Sequence, residues 1–312
     1  MSKQKICIIG SNGFVGRNLH RAIRADNSLD QVVLALVDFF PSSESEVHPR
    51  DHFVSASSEP VFLTEALKGT TICVNLASKI FAQAETPEEL LSVYLEASLS
   101  PIHTFFPYMK ESLRQWVQLS TISVYKPSQD GSPIRENQAL VPINPYGVSK
   151  LAADRYLLSA NKSIDFALQI LRLPDIYGPE SRSPSDLRLF PSMQRTFLYG
   201  LKSWDVYGTG DERRDMIHIA DACEAIICCL KKPVEGIWNV GSGIGVSVNE
   251  LIAILSNLTN HRPELKQFPE KIQTDHLLNC QKFADDFSFK CRIDFVTGVT
   301  EEFNYHRLNG KL

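Results

Sequence analysis

The feature that most constrains the fold is a glycine-rich turn directly after the first apolar run of the chain. Residues 6–9 read Ile-Cys-Ile-Ile, a short run typical of a strand buried on both faces of a parallel sheet. Gly10, Gly13 and Gly16 follow, and a helix is predicted over about residues 13–25. Such glycines permit a tight turn, a close approach of the backbone to a pyrophosphate and close packing of helix on strand. The turn therefore predicts a βαβ unit that binds a dinucleotide.

A second apolar run, residues 32–37, predicts the next strand and ends at Asp38. A carboxylate at this place can accept hydrogen bonds from the hydroxyls of the adenosine ribose, and it repels a 2′-phosphate. Asp38 therefore favours NAD over NADP as the cofactor. The alternative is an aspartate that only ends a strand and begins a turn.

Strand-like and helix-like segments continue to alternate further along the chain. The later strands are predicted at residues 71–76, 116–119 and 166–171, and the later helices at 87–113, with breaks near Pro101 and Pro107, and at 146–160. This alternation implies right-handed crossovers and an α/β fold with a doubly wound parallel sheet, the Rossmann arrangement.

The character of the chain changes after residues 178–179, where a segment rich in Pro, Ser, Arg and Asp begins. We predict a Rossmann domain that binds NAD over residues 1–179 plus 216–244. Residues 180–215 plus 245–312 are predicted to form a smaller, discontinuous α/β lobe that binds the substrate.

Composition and charge exclude several classes of partner. The formal net charge is −4 and no long basic run occurs, so neither nucleic acid nor an anionic membrane is expected as the main partner. The seven cysteines form no CxxC motif or Cys/His cluster, which argues against a disulfide framework and a metal site. No apolar stretch reaches the roughly 18 residues of a membrane span. We therefore expect a cytoplasmic protein with a small-molecule substrate and no metal.

Tyr146 and Lys150 form a YxxxK pattern and lie one turn apart on one face of a predicted helix. A lysine ammonium near a phenol favours the phenolate, so the tyrosine can donate or accept a proton while a hydride moves to or from a nicotinamide. Lys150 can also hydrogen-bond the nicotinamide ribose. Thr121 is predicted at the carboxyl end of the strand at residues 116–119, where open α/β sheets bind ligands, and its hydroxyl can contact the same substrate oxygen. A surface Tyr–Lys pair is the alternative.

Taken together, these motifs resemble the extended short-chain dehydrogenase/reductase superfamily, in its NAD-dependent sugar epimerase/dehydratase branch, which includes UDP-glucose 4-epimerase-like proteins. The resemblance covers roughly the first 250 residues. The matching segments are Gly10–Gly16, Asp38, Asn75–Ser78, Ser120–Tyr125, Asn144–Lys150, Leu171–Pro179, Gly208–Gly210, Arg214–Ile219 and Asn239–Gly243.

The resemblance implies a role for each matching position. Tyr146 is expected to be the acid/base, with Lys150 as its partner and Thr121 as the catalytic hydroxyl. The cofactor-binding residues it implies are Gly10, Asn12, Gly13, Phe14, Val15, Gly16, Asp38, Leu76, Ala77, Ser78, Tyr146, Lys150 and Pro174. The substrate-binding residues it implies are Thr121, Ser123, Asp175 and Arg214, with Arg214 on a nucleotide-sugar phosphate. It also implies a homodimer, with helices 87–113 and 146–160 as the interface.

Several positions depart from the family's pattern. Dehydratases of the family carry Asp-Glu directly after the catalytic threonine, whereas Ile122 and Ser123 stand here, so dehydration is disfavoured. Asp175 occupies a position that is commonly Asn, and a carboxylate there repels a diphosphate unless it is paired or protonated. The family's second phosphate-binding arginine has no counterpart in residues 267–282, and His276 is interpreted as a surface residue of the lobe.

The leading hypothesis is an NAD-dependent epimerase of a nucleotide-activated sugar that works through a transient keto intermediate. A reductase or dehydrogenase of a keto-sugar or other carbonyl compound, which exchanges NAD(P)H at each turnover, uses the same three residues and stays open. A non-catalytic dinucleotide-binding scaffold or sensor is the third alternative, and the intact Tyr146, Lys150 and Thr121 argue against it.

Overall fold

A seven-stranded sheet, flanked by helices, organises the larger part of the chain. The computed structural model describes residues 4–39, 48–79, 84–128, 130–181, 189–271 and 274–308. The strands are β1 (Lys5–Ile9), β2 (Val33–Asp38), β3 (Asp51–Ser55), β4 (Ile72–Asn75), β5 (Gln115–Thr121), β6 (Ala167–Leu173), β7 (Asp175–Tyr177), β8 (Ser203–Tyr207), β9 (Arg213–His218), β10 (Gly236–Asn239), β11 (Gly245–Ser247) and β12 (Glu264–Phe268). The helices are α1 (Phe14–Ala25), α2 (Pro60–Leu67), α3 (Pro87–Met109), α4 (Pro145–Ala160), α5 (Leu189–Leu198), α6 (Ile219–Lys231), α7 (Val248–Thr259), α8 (Gln281–Phe287) and α9 (Phe295–Leu308).

The strand order in the large sheet is β10-β6-β5-β4-β1-β2-β3. The pairings that link β3, β2, β1, β4 and β5 are all parallel. The chain moves outward from β1 in one direction and then resumes at β4 on its other side, which creates a topological switch point at the carboxyl ends of these two strands. The prediction of a doubly wound parallel sheet of the Rossmann type is confirmed, and the glycine turn after β1 lies at the switch point.

The chain forms two compact units, each with its own apolar core. The first consists of Met1–Val124, Leu140–Arg172 and Cys223–Trp238, and the second of Tyr125–Ala139, Leu173–Ala222 and Asn239–Leu312. The core of the first unit includes Cys7, Ala35, Cys73, Phe105, Trp116 and Ile170. The core of the second includes Phe190, Met193, Val206, Met216, Leu251 and Phe303.

The second unit contains stretches that the sequence prediction assigned to the Rossmann domain, namely residues 125–139, 173–179, 216–222 and 239–244. The reason lies in strand pairing. β7 pairs with β9 in parallel, and β9 pairs with β11 in antiparallel, so these segments build a separate three-stranded sheet. A two-stranded parallel ribbon of β8 and β12 completes the strands described in this unit. The domain boundaries themselves stay a prediction.

The long helix α3 runs without a break through Pro101 and Pro107, where the sequence predicted interruptions. Proline removes one backbone hydrogen bond from a helix, but burial of an apolar face can offset that loss. Pro101 is itself buried, and so are Phe105 and Phe106 on the following turn. Among the described helices, none is both long enough and apolar enough to cross a bilayer.

Candidate active site

The turn after β1 leaves no room for a side chain at two of its glycines, Gly10 and Gly16. Gly10 has φ +82°, and a Cβ there would lie 2.9 Å from the backbone nitrogen of Ala77. A Cβ on Gly16 would come within 2.6 Å of the carbonyl oxygen of Ser11. The N–H of Gly10 donates to the carbonyl of Val37 at 2.8 Å, which fixes the turn against β2. The predicted use of these glycines for a tight turn and for helix packing agrees with this geometry.

The helix that follows begins at Phe14 and Val15 with Gly13 as its N-cap, and no side chain caps it. The first N–H groups of a helix lack intrahelical partners, and the helix dipole makes this end positive. An uncapped N-terminus directly after a glycine turn fits a pyrophosphate. The residues present therefore fit the dinucleotide that the sequence predicts.

Asp38 and Asn12 come together at this turn. The backbone N–H of Asn12 donates to Oδ2 of Asp38 at 2.8 Å, and Asp38 is buried at the end of β2. The carboxylate is therefore held beside the glycine turn, as an acceptor for ribose hydroxyls must be.

The end of β4 borders the same turn. Ala77 packs against Gly10, and its N–H donates to Oδ1 of Asn75 at 3.2 Å. Asn75 is fully buried, and its amide also donates to Oε1 of Gln118 at 3.0 Å. Leu76 and Ser78 flank Ala77 on this segment. Asn75 was part of a matching segment but was not assigned a role, and the structure gives it the role of fixing Ala77.

Thr121 and the first turn of α4 meet through a close backbone contact. Thr121 ends β5, and its Oγ1 accepts the N–H of Ser123 at 3.2 Å. A Cβ on Gly147 would collide with the carbonyl oxygen of Ser123, so only glycine allows this approach. Asn144 caps α4 by accepting the N–H of Gly147 at 2.7 Å. The residue before Gly147, Tyr146, is thereby held beside the turn that carries Thr121 and Ser123.

Helix α3 supports Tyr146 from the side. The rings of Tyr94 and Tyr146 meet edge to face, with centroids 5.9 Å apart. Ser149 donates to the backbone carbonyl of Tyr146 at 2.8 Å and contacts the hydroxyl of Ser98 on α3 at 3.1 Å. These contacts fix the start of α4 against α3.

Lys150 lies one turn after Tyr146 and is only 2% exposed. Burial lowers the pKa of the Lys150 ammonium to about 8, although the nearby Asp154 carboxylate acts to raise it. A lysine whose pKa is this close to neutrality can both stabilise a phenolate and take part in proton transfer. The predicted Tyr146–Lys150 pair is therefore a partly buried pair and not a surface pair.

The other predicted residues lie in the second unit. Pro174 is buried between β6 and β7, Asp175 begins β7 and Arg214 lies on β9. Burial lowers the pKa of the Arg214 guanidinium, and the negative charge of Asp175 acts in the opposite direction. The Asp175 carboxylate therefore interacts electrostatically with the Arg214 guanidinium. A carboxylate compensated in this way repels a diphosphate less than an isolated one would.

His276 also lies beside Arg214, with which it forms an isolated β-bridge. The sequence interpretation placed His276 on the surface of the lobe, and the structure shows it half-buried. Burial, together with the positive charge of Arg214, lowers the pKa of the imidazole to about 4. A histidine here is neutral at physiological pH and can pack against the guanidinium.

A cavity of about 660 Å³ opens next to Arg214 within the second unit. It is lined by Leu189, Ser192, Ser203, Trp204, Asp205, Tyr207, Glu212, Arg214, Val248 and Lys266. Lys266 gives this cavity a second cation, and it lies on β12 in register with Asp205. Lys266 lies just before residues 267–282, where a second phosphate-binding cation was expected, and a single lysine on a short strand carries no motif.

Over the stretches that the structure describes, no three His, Cys, Asp or Glu side chains converge as metal ligands would. The predicted site residues divide by unit. Thr121, Ser123, Tyr146 and Lys150 come together in the first, and Asp175 and Arg214 in the second.

Comparison with known proteins gives a consistent family. The model of the "NAD dependent epimerase/dehydratase family" matches residues 6–241. A curated relative, the putative UDP-glucose 4-epimerase of Methanocaldococcus jannaschii, is 23% identical over 309 residues, which is 98% of this chain and 99% of the relative.

Solved structures agree in fold. UDP-glucuronic acid 4-epimerase from Bacillus cereus, in complex with UDP-glucuronic acid and NAD, superposes with a TM-score of 0.83 at 20% identity, covering 98% of this chain and 100% of that one. DesIV, a dTDP-glucose 4,6-dehydratase from Streptomyces venezuelae with NAD bound, gives 0.83 at 21% identity, covering 99% and 98%. At these identities the likeness concerns the fold alone.

Proposed function

This chain belongs to the NAD dependent epimerase/dehydratase family, and from that premise we propose that it is an NAD-dependent epimerase of a nucleotide-activated sugar. One observation carries the proposal. The close contact of Gly147 with Ser123 joins the Thr121 turn to the helix face of Tyr146 and the buried Lys150. This arrangement brings an acid/base, its cationic partner and a hydroxyl donor to the carboxyl end of β5.

The chemistry of each residue follows from this arrangement. The glycine turn and Asp38 would hold NAD, which would supply the acceptor and donor of the hydride exchanged with a sugar carbon. Tyr146 removes the proton of the sugar hydroxyl at its phenol oxygen and later gives it back. The Lys150 ammonium stabilises the phenolate, and Thr121 holds the reacting oxygen by a hydrogen bond. The same residues serve both halves of the cycle, so the cofactor need not leave.

An epimerase is favoured over a dehydratase by the two residues after Thr121. Dehydration requires an acid that donates a proton to the departing hydroxyl. Ile122 is buried and apolar, and Ser123 has a hydroxyl that is not acidic at neutral pH. This is the specific reason to prefer inversion, although dehydratases occur among the relatives.

We infer that the cavity of the second unit receives the nucleoside diphosphate. Arg214 and Lys266 supply two cations for the phosphates, and Trp204 supplies an aromatic face for the base. Glu212 lines the same cavity, but its carboxylate accepts the N–H groups of Thr209 and Gly210 at 2.9 Å, so its charge is partly satisfied. Relatives and solved structures whose names specify UDP sugars support this ligand class.

We further propose a homodimer built on α3 and α4, in a protein of the cytoplasm. Helix α4 exposes two apolar side chains, with Val148 39% and Tyr156 45% accessible. A second copy of the helix pair would cover them. Analytical ultracentrifugation at micromolar protein should give a dimer, and a monomer at all concentrations would contradict this part of the proposal.

The test of the proposal is to denature the purified protein and to identify the released nucleotide by mass spectrometry. An epimerase that regenerates its cofactor should release near-stoichiometric NAD⁺. The protein should then invert a UDP sugar, and Tyr146→Phe should slow inversion by roughly 10²–10⁴-fold without loss of bound NAD. NADP, or an empty site together with consumption of added NAD(P)H, would support the reductase alternative instead.

A further inference from the structure

A third ionisable group, Asp154, follows Tyr146 and Lys150 on the same face of α4. Asp154 lies one turn after Lys150 and two turns after Tyr146, so the three side chains follow one line along the helix. Asp154 is fully buried, with no solvent-exposed surface. A carboxylate in such a place is costly unless other groups compensate it, and its neighbours therefore indicate its role.

The neighbours of Asp154 come from two strands of the sheet. The hydroxyl of Ser120 on β5 donates to Oδ2 of Asp154 at 2.7 Å. Nε of Arg172 on β6 lies 3.7 Å from the same oxygen. The other carboxylate oxygen, Oδ1, makes no hydrogen bond within the described parts of the chain. Ser120 directly precedes Thr121, so Asp154 is tied to the strand end that carries the predicted catalytic hydroxyl.

Three positively charged side chains lie near Asp154, and its carboxylate partly neutralises them. Lys150 on its own helix and Arg172 on β6 are both buried cations, and Arg155 adds a further positive charge from the next position of α4. Burial raises the pKa of Asp154 to about 6, while the Ser120 hydrogen bond and the three cations act to lower it. At neutral pH the carboxylate is therefore mostly ionised.

The electrostatic attraction between Asp154 and Lys150 lowers the pKa of the carboxyl and raises the pKa of the ammonium. Burial favours the neutral amine and brings the pKa of Lys150 to about 8, and Asp154 is the neighbour that opposes this loss of charge. If Asp154 were neutral, Lys150 would lose the negative charge that opposes its deprotonation. The lysine would then lose its proton at lower pH, and phenolate formation at Tyr146 would require higher pH.

We propose that Asp154 is a positioning residue that keeps the Lys150 ammonium charged behind Tyr146, and that Ser120 sets how strongly it does so. This inference rests on the proposed function, because it assumes that Tyr146 and Lys150 are the reacting pair. No atom of Asp154 is required to touch the sugar or the cofactor. The residue acts only through the charge of Lys150.

The experiment is a near-ultraviolet titration of the phenolate of Tyr146 in the purified protein with its bound nucleotide. The signal of Tyr146 is the difference between each protein and the same protein carrying Tyr146→Phe. Asp154→Asn should move the midpoint to higher pH by about one unit, the low end of the effect of one close charge. It should lower kcat at neutral pH by about tenfold, with KM changed by less than about twofold, because only the phenolate fraction falls.

Ser120→Ala provides the milder form of the same change. Without this hydrogen bond the pKa of Asp154 should rise further, so the midpoint of Tyr146 should move in the same direction by a smaller amount. Ser112→Ala is the matched control, because it removes a hydrogen bond of similar length, 2.8 Å to the carbonyl of Thr70, away from these charges. It should leave the midpoint in place.

An unmoved midpoint in folded Asp154→Asn would overturn the inference, whatever its activity. If that variant does not fold, Ser120→Ala decides in the same way, because an unmoved midpoint there contradicts the link from Ser120 to Lys150. The titration needs no substrate, so its failure is distinct from failure of the proposed function. The latter would appear as an active Tyr146→Phe protein.

Discussion

The two units of this protein offer their proposed ligands different kinds of surface. The first presents backbone N–H groups at the start of α1, in a turn where Gly10 and Gly16 admit no side chain, and the buried carboxylate of Asp38. The second presents side chains, with Arg214, Lys266 and Trp204 in one cavity. A backbone site depends on a few glycines at fixed places, whereas a side-chain site can be assembled from many residue types. The first should therefore fail abruptly on substitution and the second gradually.

The largest expected effect tests whether the acid/base of the reaction is Tyr146 in the first unit. Tyr146→Phe removes only the phenol hydroxyl, so kcat should fall by roughly 10²–10⁴-fold while bound NAD and the fold are kept. Steady-state rates and the nucleotide released on denaturation measure both. Tyr156→Phe, an exposed tyrosine on the same helix, is the matched control and should keep full activity. Near-normal turnover in Tyr146→Phe would refute the mechanism.

The second prediction tests the abrupt failure of the backbone site. In Gly16→Ala the new Cβ would come within 2.6 Å of the Ser11 carbonyl oxygen, so the free energy of unfolding should fall by about 1–3 kcal/mol and NAD should be lost on purification. Gly13→Ala adds a Cβ only 3.2 Å from the carbonyl oxygen of Gly10 and should destabilise less. Urea unfolding and nucleotide content provide the measurements. Equal stability of both variants and wild type would contradict the packing argument.

The third prediction tests the gradual response of the side-chain site. Arg214→Gln should raise KM for a nucleotide sugar by about 10–100-fold, since one charge-assisted hydrogen bond is lost, and Lys266→Met should raise it less, because Lys266 is exposed. Bound NAD should not change in either variant. Lys162→Met is the control, because Lys162 is an exposed lysine of the first unit and does not line the cavity. A KM unaffected by Arg214→Gln would remove the phosphate role.

The smallest expected effect concerns Asp38, the side chain of the first unit that we propose favours NAD over NADP. Asp38→Asn keeps an acceptor oxygen but removes the charge that repels a 2′-phosphate. The affinity ratio of NAD over NADP should fall by about tenfold, as expected for a modest electrostatic difference. Binding of both nucleotides to protein stripped of its cofactor, followed by calorimetry, measures the ratio. An unchanged ratio would mean that Asp38 only supports the turn through Asn12.

The sheet of the first unit could be predicted from the sequence because its determinants are local. Glycine spacing, an acid at a strand end and a Tyr–Lys pair at i and i+4 are fixed by the backbone geometry of a single turn or helix. The alternation of strands and helices then predicted a parallel sheet, and the structure confirms that prediction. The continuous helix through Pro101 was missed because burial of its face outweighs a local preference.

The second unit could not be predicted in the same way, because its site depends on register. Lys266 reaches the cavity because β12 pairs with β8 so that it lies opposite Asp205. The residues around Lys266 in the sequence do not predict that strand pairing. Asp154 was missed in the first unit for a similar reason, since its contacts with Ser120 and Arg172 join positions far apart along the chain.

The most direct test of the central claim is turnover without added cofactor. The purified protein should be incubated with a panel of UDP hexoses and the products followed by nuclear magnetic resonance. The account predicts that one sugar is converted to an equilibrium mixture of two epimers, with many turnovers per protein and no net change in nicotinamide redox state. If no sugar is inverted, and a keto-sugar is instead reduced in step with added NADH or NADPH, the protein is a reductase and the epimerase proposal is wrong.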